Sequence, residues 1–398
     1  MYSQKMPRLV FQRHGVLGED NWHSVLISLL RGLAALIVAA AHLRAAMYPG
    51  LHAVVDPPLW FKGFAFFTGF AHQAVIVFFV ISGWLVGGSL LNRIGQPQAL
   101  SNYAVDRLTR LWTVLIPTFL LTLLFAASTG AIGQSDINYS PENKYSAVTF
   151  AGNLVGLQHV LLPDFGGNFA LWSLANETWY YLAFPLLVLV WTTHSGVARF
   201  ACLAALLLLS TFLPSAIVGY FLIWLLGVAF SRVRIECGSG MRWAWAALLA
   251  GGACYYRLRG ELDAYDLTTL KQDVVCALLY LVLLASLQFK ASPASKLVRP
   301  LSKVGHFFAE FSFSLYVLHV PLIGVLHHWV TAQLGLRQLS PAVPLHTALY
   351  VGMLAILVIS AYVSYRLFES RTPLVRRAVK DLLLRHAPAP AITRPSER

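Results

Sequence analysis

Acidic side chains are scarce in this sequence: 17 Asp and Glu among 398 residues, with charged residues of both signs at only 12%. A soluble domain carries about 25% charged residues, so a freely soluble globular protein is excluded. Cysteine is also sparse, with four in all. Cys202, Cys254 and Cys276 fall in or beside apolar stretches and Cys237 in a basic loop. That pattern excludes a secreted disulfide framework and offers no metal-ligand spacing, so no metal is expected. The opening stretch MYSQKMPRLVFQRHGVLGEDNWHS lacks the apolar core and small-residue cleavage site of a signal peptide. The first apolar stretch is then expected to be a retained anchor. A serine nucleophile with a paired base is missing too, and no second soluble domain is expected within this sequence.

What the chain has instead is apolar length, with 57% hydrophobic residues. The fold class expected is all-α: a polytopic integral membrane protein with about ten transmembrane helices, each near the ~20 residues that cross a bilayer. The expected spans are 25–47, 70–91, 111–129, 172–192, 198–213, 215–231, 243–257, 273–289, 307–330 and 343–367. They divide the chain into an N-terminal segment 1–24, a membrane domain 25–370 and a C-terminal segment 371–398. In the last segment, TPLVRRAVKDLLLRH sets Leu374, Val375, Ala378, Val379, Leu382 and Leu383 on one helical stripe opposite basic residues. It reads as an interfacial helix followed by a disordered tail.

The net charge is +13. Nucleic acid is not the expected partner, because the positive charge tracks the loops. Apart from Arg31, only Arg44, Lys62, Lys144, Arg257, Arg259, Lys271 and Arg337 fall on the side opposite the two termini. This asymmetry places both termini in the cytoplasm and the 129–171 loop outside. That loop is polar, with Asp136, Asn138, Glu142, Asn143, Asn153, Asp164 and Asn168. It suits a sugar, and it equally suits a solvated connection.

Arg31 and His42 stand inside the first span, eleven residues apart. Eleven steps of about 100° are close to three turns, so the two side chains share a face, roughly 16 Å apart along the axis. Ionisable groups at that depth usually face a cavity. The plainer reading is a snorkelling arginine and a histidine bonded to a neighbouring helix. Arg107 and Arg110 share a face at i, i+3, and two guanidiniums grip a phosphate well; as anchors they would be ordinary. In VIVFFVISGWLVGG, Ser82 and its glycines permit close helix approach. In LWSLANETWYYLAFP, Ser173 and Glu177 suit the first turns of a helix, and Glu177 lies among aromatics, where it could orient an imidazole. Trp172 and Tyr181 belong to the same stretch. Ser312, Tyr316 and His319 form one polar stripe on the ninth span.

RGLAALIVAAAH, VFFVISGWL, YAVDRLTRLW, WSLANETWYYLAFP and FSLYVLHVP, in this order, resemble the membrane-bound acyltransferase family 3, over about residues 25–370. Where that family often has SLSxE, this chain has SLANE, so Asn176 departs from the pattern and Glu177 keeps its place. The extracellular esterase-like domain of some members is not in this sequence. The resemblance implies an acyltransferase (transfer of groups other than aminoacyl) that moves an acyl group, most often acetyl, from cytoplasmic acyl-CoA to a carbohydrate hydroxyl of the cell envelope. The expected setting is the bacterial inner membrane. On this reading acyl-CoA is a co-substrate and no cofactor is bound. His42 and Glu177 are the catalytic candidates, and Arg31, Arg107 and Arg110 bind the donor. Ser82, Trp172, Ser173, Tyr181, Tyr316 and His319 line the cavity or bind the acceptor. A transporter or flippase using the same intramembrane His, Glu and Arg is the alternative from another class.

Overall fold

The computed structural model describes residues 6–15, 21–133, 138–259, 265–289 and 298–384. Asp136 and the tail beyond Leu384 lie outside them. Helices dominate: α1 (Trp22–Met47), α2 (Leu59–Thr68), α3 (Ala71–Ser82), α4 (Gly88–Arg93), α5 (Ala99–Ser128), α6 (Ala147–Leu154), α7 (Trp172–Thr192) and α8 (Gly196–Phe212) come first. Then follow α9 (Ser215–Phe230), α10 (Ser239–Arg259), α11 (Leu267–Ser286), α12 (Val298–Glu310), α13 (Ser312–Leu334), α14 (Pro344–Leu367) and α15 (Thr372–Leu384). Strands β1 (Arg8–Phe11) and β2 (Val233–Glu236) pair antiparallel, with Arg8 opposite Glu236. Asn92 fastens this N-terminal segment to α4, accepting from Gly15 N at 3.3 Å and donating to Gly15 O at 3.1 Å.

Among the described residues six helical stretches are long and apolar enough to cross a membrane: Trp22–Ala53, Leu59–Arg93, Ala99–Ser128, Leu267–Ser286, Ser312–Leu334 and Pro344–Leu384. Each of the ten expected spans overlaps a helix, and two further apolar helices, Gly196–Phe212 and Ser215–Phe230, are shorter than these six. Helices α8 and α9 have 17 and 16 residues. Helix α7 carries Asn176 and Glu177, and α10 carries Arg242, Arg257 and Arg259 and buries no residue. The ninth expected span is divided at Phe311 into α12 and α13.

Small residues let the central helices touch. A Cβ on Gly83 would collide with the carbonyl oxygen of Trp224, and one on Gly227 with that of Val80. Only glycine permits this approach of α9 to the α3–α4 rod. Between α3 and α4 the rod takes a π-helical turn, Gly83–Gly87. Such turns re-aim side chains and recur at functional sites. One core gathers Phe79, Tyr180, Tyr220 and Trp224; a second lies around Tyr48, Phe61 and Tyr350 between α1, α2 and α14.

Residues 138–171 form a folded cap whose polar residues are largely spent on its own backbone. Asn143 accepts from Tyr145 N, and Asn153 accepts from Phe165 N while donating to Pro163 O. His159 pairs with Asp164 at 3.1 Å, and this hydrogen bond holds the imidazole pKa above its usual value. Phe165 packs on Phe119 of α5. At its far end Asn168 Nδ2 donates to Val317 O at 2.8 Å. That carbonyl is free because Pro321, four residues on, has no N–H to offer it.

Candidate active site

A cavity of about 600 Å³ runs between α1, the α3–α4 rod, α5, α7, α12, α13 and the α14–α15 junction. Arg31, Arg107, Arg110 and Arg376 line it, with Glu177, Glu310 and Glu369. The helical period brings Arg107 and Arg110 to one wall, as their spacing implied. Arg107 lies over the Tyr181 ring at 5.9 Å. Arg110 pairs with buried Glu369 at 3.1 Å and lies over Phe313 at 5.6 Å. The other Glu369 oxygen accepts from Ser314 N at 3.2 Å and Ser314 Oγ at 2.7 Å, placing a carboxylate at the start of α13. Arg31 makes no ion pair or hydrogen bond among the described residues, so its five donors remain for a ligand.

Glu177 takes part in a chain of hydroxyls. Trp224 Nε1 donates to Ser82 Oγ at 3.1 Å, Ser82 Oγ lies 3.4 Å from the Tyr181 hydroxyl, and that hydroxyl donates to Glu177 Oε2 at 2.8 Å. Ser82, Tyr181 and Glu177 all line the cavity. The partnership of Glu177 with His42 entertained from sequence is not formed. His42 pairs with His319 instead, Nδ1 to Nε2 at 2.8 Å.

The histidine pair fixes its own hydrogens. His319 Nδ1 lies 3.2 Å from Leu315 O, and a carbonyl only accepts, so that nitrogen carries the hydrogen. The Nε2 of His319 is then an acceptor and takes the hydrogen on His42 Nδ1. A neutral His42 is left with a bare lone pair on Nε2. Phe169, at the end of the cap, sets its ring 4.9 Å from His42. Neither histidine lines the cavity. Tyr316 does, together with Ser173; their hydroxyls share a hydrogen bond of 2.6 Å, and the Tyr316 ring is 5.9 Å from that of His319. Trp172 departs from expectation. It packs on Tyr265 and Phe79 and is not in the cavity wall.

Comparison with known proteins decides the class of this arrangement. A family model described as an acyltransferase domain matches residues 25–365. The chain belongs to acyltransferase family 3. An uncharacterized protein of Haemophilus influenzae is 32% identical to this family member over 120 residues, 29% of this chain and 48% of that protein. The chain thus matches about half the length of that curated relative. No solved structure matches it.

The family 3 motifs account for Arg31, Arg107, Arg110 and Glu177, which converge on the cavity. They do not account for Glu369, Arg376 or Phe169. Glu369 lies in FESRTP, where a lone carboxylate among apolar and basic residues is the available signal. Asp106 sits inside the quoted YAVDRLTRLW, one turn before Arg110, and collects Arg93 at 3.0 Å and Lys380 at 2.7 Å. As an acidic residue in a basic stretch, it too could be found by charge. Phe169 carries no such mark, since nothing in a loop sequence says which helix its ring meets.

Proposed function

We propose that this chain transfers an acyl group, acetyl in the simplest case, from cytoplasmic acyl-CoA to a hydroxyl of a cell-envelope carbohydrate. The observation that carries the reading is the cavity itself: guanidiniums along its length, and the His42–His319 pair behind Tyr316. A volume of about 600 Å³ falls in the range of ligand sites. The donor's phosphates sit against Arg107 and Arg110, whose planar forks suit phosphate oxygens. Arg31, the unpaired guanidinium, lies along the path of the donor arm. The thioester then reaches the level of Tyr316.

His42 acts as general base through Nε2. The acceptor hydroxyl oxygen attacks the thioester carbonyl as its proton passes to His42, a C–O bond forms, and the C–S bond breaks. The departing thiolate takes the proton back from His42, leaving the ester and free CoA. His319 fixes the tautomer and orientation of the base. Glu177 holds Tyr181 in the wall where the donor arm passes. Direct transfer needs no enzyme nucleophile.

The test is to follow the label. Purified protein in sealed proteoliposomes is given acetyl-CoA labelled in the acetyl group together with envelope glycans. Label should move into carbohydrate as an alkali-labile ester, with one CoA thiol released per ester. Label crossing the bilayer without leaving CoA would sink this reading and favour transport.

A further inference from the structure

The cavity contains a cation that comes from outside the family match. Arg376, on the second turn of α15, lines the cavity beside Thr372 and Pro373. Its position is fixed by its helix. Thr372 Oγ1 shares a hydrogen bond with Thr113 Oγ1 of α5 at 2.8 Å and donates to Glu369 O at 2.7 Å. The apolar stripe of α15 is left exposed, with Leu374, Leu382 and Leu383 outward, while its basic side meets α5. The segment expected to lie on a lipid leaflet is therefore also part of the cavity wall.

Asp106 is the counter-ion there, and it is shared three ways. Lys380 Nζ is 2.7 Å from it, Arg93 Nη1 3.0 Å, and Arg376 Nε 3.5 Å. Three cations share this one carboxylate. Arg376 makes the longest of these contacts, and its buried Nε has no hydrogen-bond partner. Its guanidinium can turn to an anion without leaving Asp106 bare, since two nearer cations remain. Arg107 and Arg110 form a separate set, beside Tyr181 and Glu369.

An acyl-CoA presents two separated anionic groups, a pyrophosphate and a monoester phosphate on the ribose 3′ oxygen. We infer that Arg376 binds the ribose 3′-phosphate, leaving Arg107 and Arg110 to the pyrophosphate. The cavity thereby selects CoA over donors that lack that phosphate. The inference rests on the acyl-CoA reading given above.

Equilibrium binding of CoA and of 3′-dephospho-CoA to the full-length protein tests it. A charge-assisted contact to phosphate is worth roughly 10- to 150-fold in affinity. The wild-type protein should prefer CoA by a factor in that range. Arg376→Gln should shrink the preference to within about threefold, and Arg376→Lys should retain part of it. A thermal melt of each variant separates misfolding from lost recognition, and Arg376→Lys carries the test if Arg376→Gln fails to fold. Equal wild-type affinities for the two probes, or a preference that survives both substitutions, would overturn the assignment alone. No binding of either probe to the wild-type protein would remove the acyl-CoA reading and this inference with it.

Discussion

At the scale of single residues, the cavity is a problem of unequal charge, and each guanidinium solves it differently. Arg110 is partnered by Glu369, Arg107 rests on an aromatic face, and Arg31 makes no hydrogen bond or ion pair among the described residues. On the proposed reading, a polyanionic donor would meet Arg31 and Arg107 without breaking an ion pair, whereas at Arg110 it would compete with Glu369. Arg107→Gln should weaken CoA binding by roughly 10- to 150-fold, and Arg110→Gln by less, because part of that charge is already spent. Titration calorimetry on the two variants checks the order. Equal wild-type affinity in both would return the pair to a role in anchoring. The spacing of Arg107 and Arg110 was enough to put them on one wall, because the helical period fixes relative direction within a helix. It says nothing of which neighbouring helix is faced. That is why Glu177 was a candidate partner for His42 while the true partner, His319, lies on α13, 277 residues along the chain.

At the scale of elements, helix breaks and caps decide where side chains go. Pro321 strips Val317 O of its partner, Asn168 fills the vacancy, and the next residue, Phe169, is thereby delivered to His42. Asn168→Ala leaves a buried carbonyl unsatisfied, at about 1–3 kcal/mol. It should lower the melting temperature and loosen the cap over the histidine pair. Limited proteolysis of 129–171 reads the second effect, and unchanged cleavage would detach the cap from the site. The cap also carries a pH-dependent brace. Asp164 raises the pKa of His159 in the folded chain, so the contribution is full below the unfolded value of about 6.5 and is lost as pH rises through the folded one. The pair is partly exposed, which limits it to about 1 kcal/mol or less. Asp164→Asn should therefore lower stability at about pH 6 and leave it unchanged at about pH 9. A deficit that persists at the higher pH would assign the effect to some other bond of Asp164. None of this was legible beforehand. The polar composition of the loop suits a sugar and a solvated connection equally, since amide side chains bond backbone as readily as ligand, and only the fold tells where they go.

At the scale of the whole molecule, hydropathy placed helices correctly, and six of the described stretches are long and apolar enough to cross a membrane. Each expected span lies on a helix, yet α7, α8, α9 and α10 are short or interrupted by polar groups. The basic residues carry independent information on sidedness. Reporter fusions after Asn143 and after Arg385 should report opposite sides of the membrane; agreement between them would overturn the topology and with it the cytoplasmic approach of the donor. The family motifs lie on α1, α3, α5, α7 and α13 and meet at one cavity, with the histidine pair beyond Tyr316. The central claim is that His42 is the base. The measurement that tests it most directly is single-turnover release of CoA from acetyl-CoA by His42→Gln in the presence of the glycan acceptor, with donor binding measured on the same preparation. General-base assistance contributes about 10²–10⁴-fold. His42→Gln should bind CoA like the wild-type protein and release it slower by that factor. Release at the wild-type rate, with donor binding intact, would contradict the account.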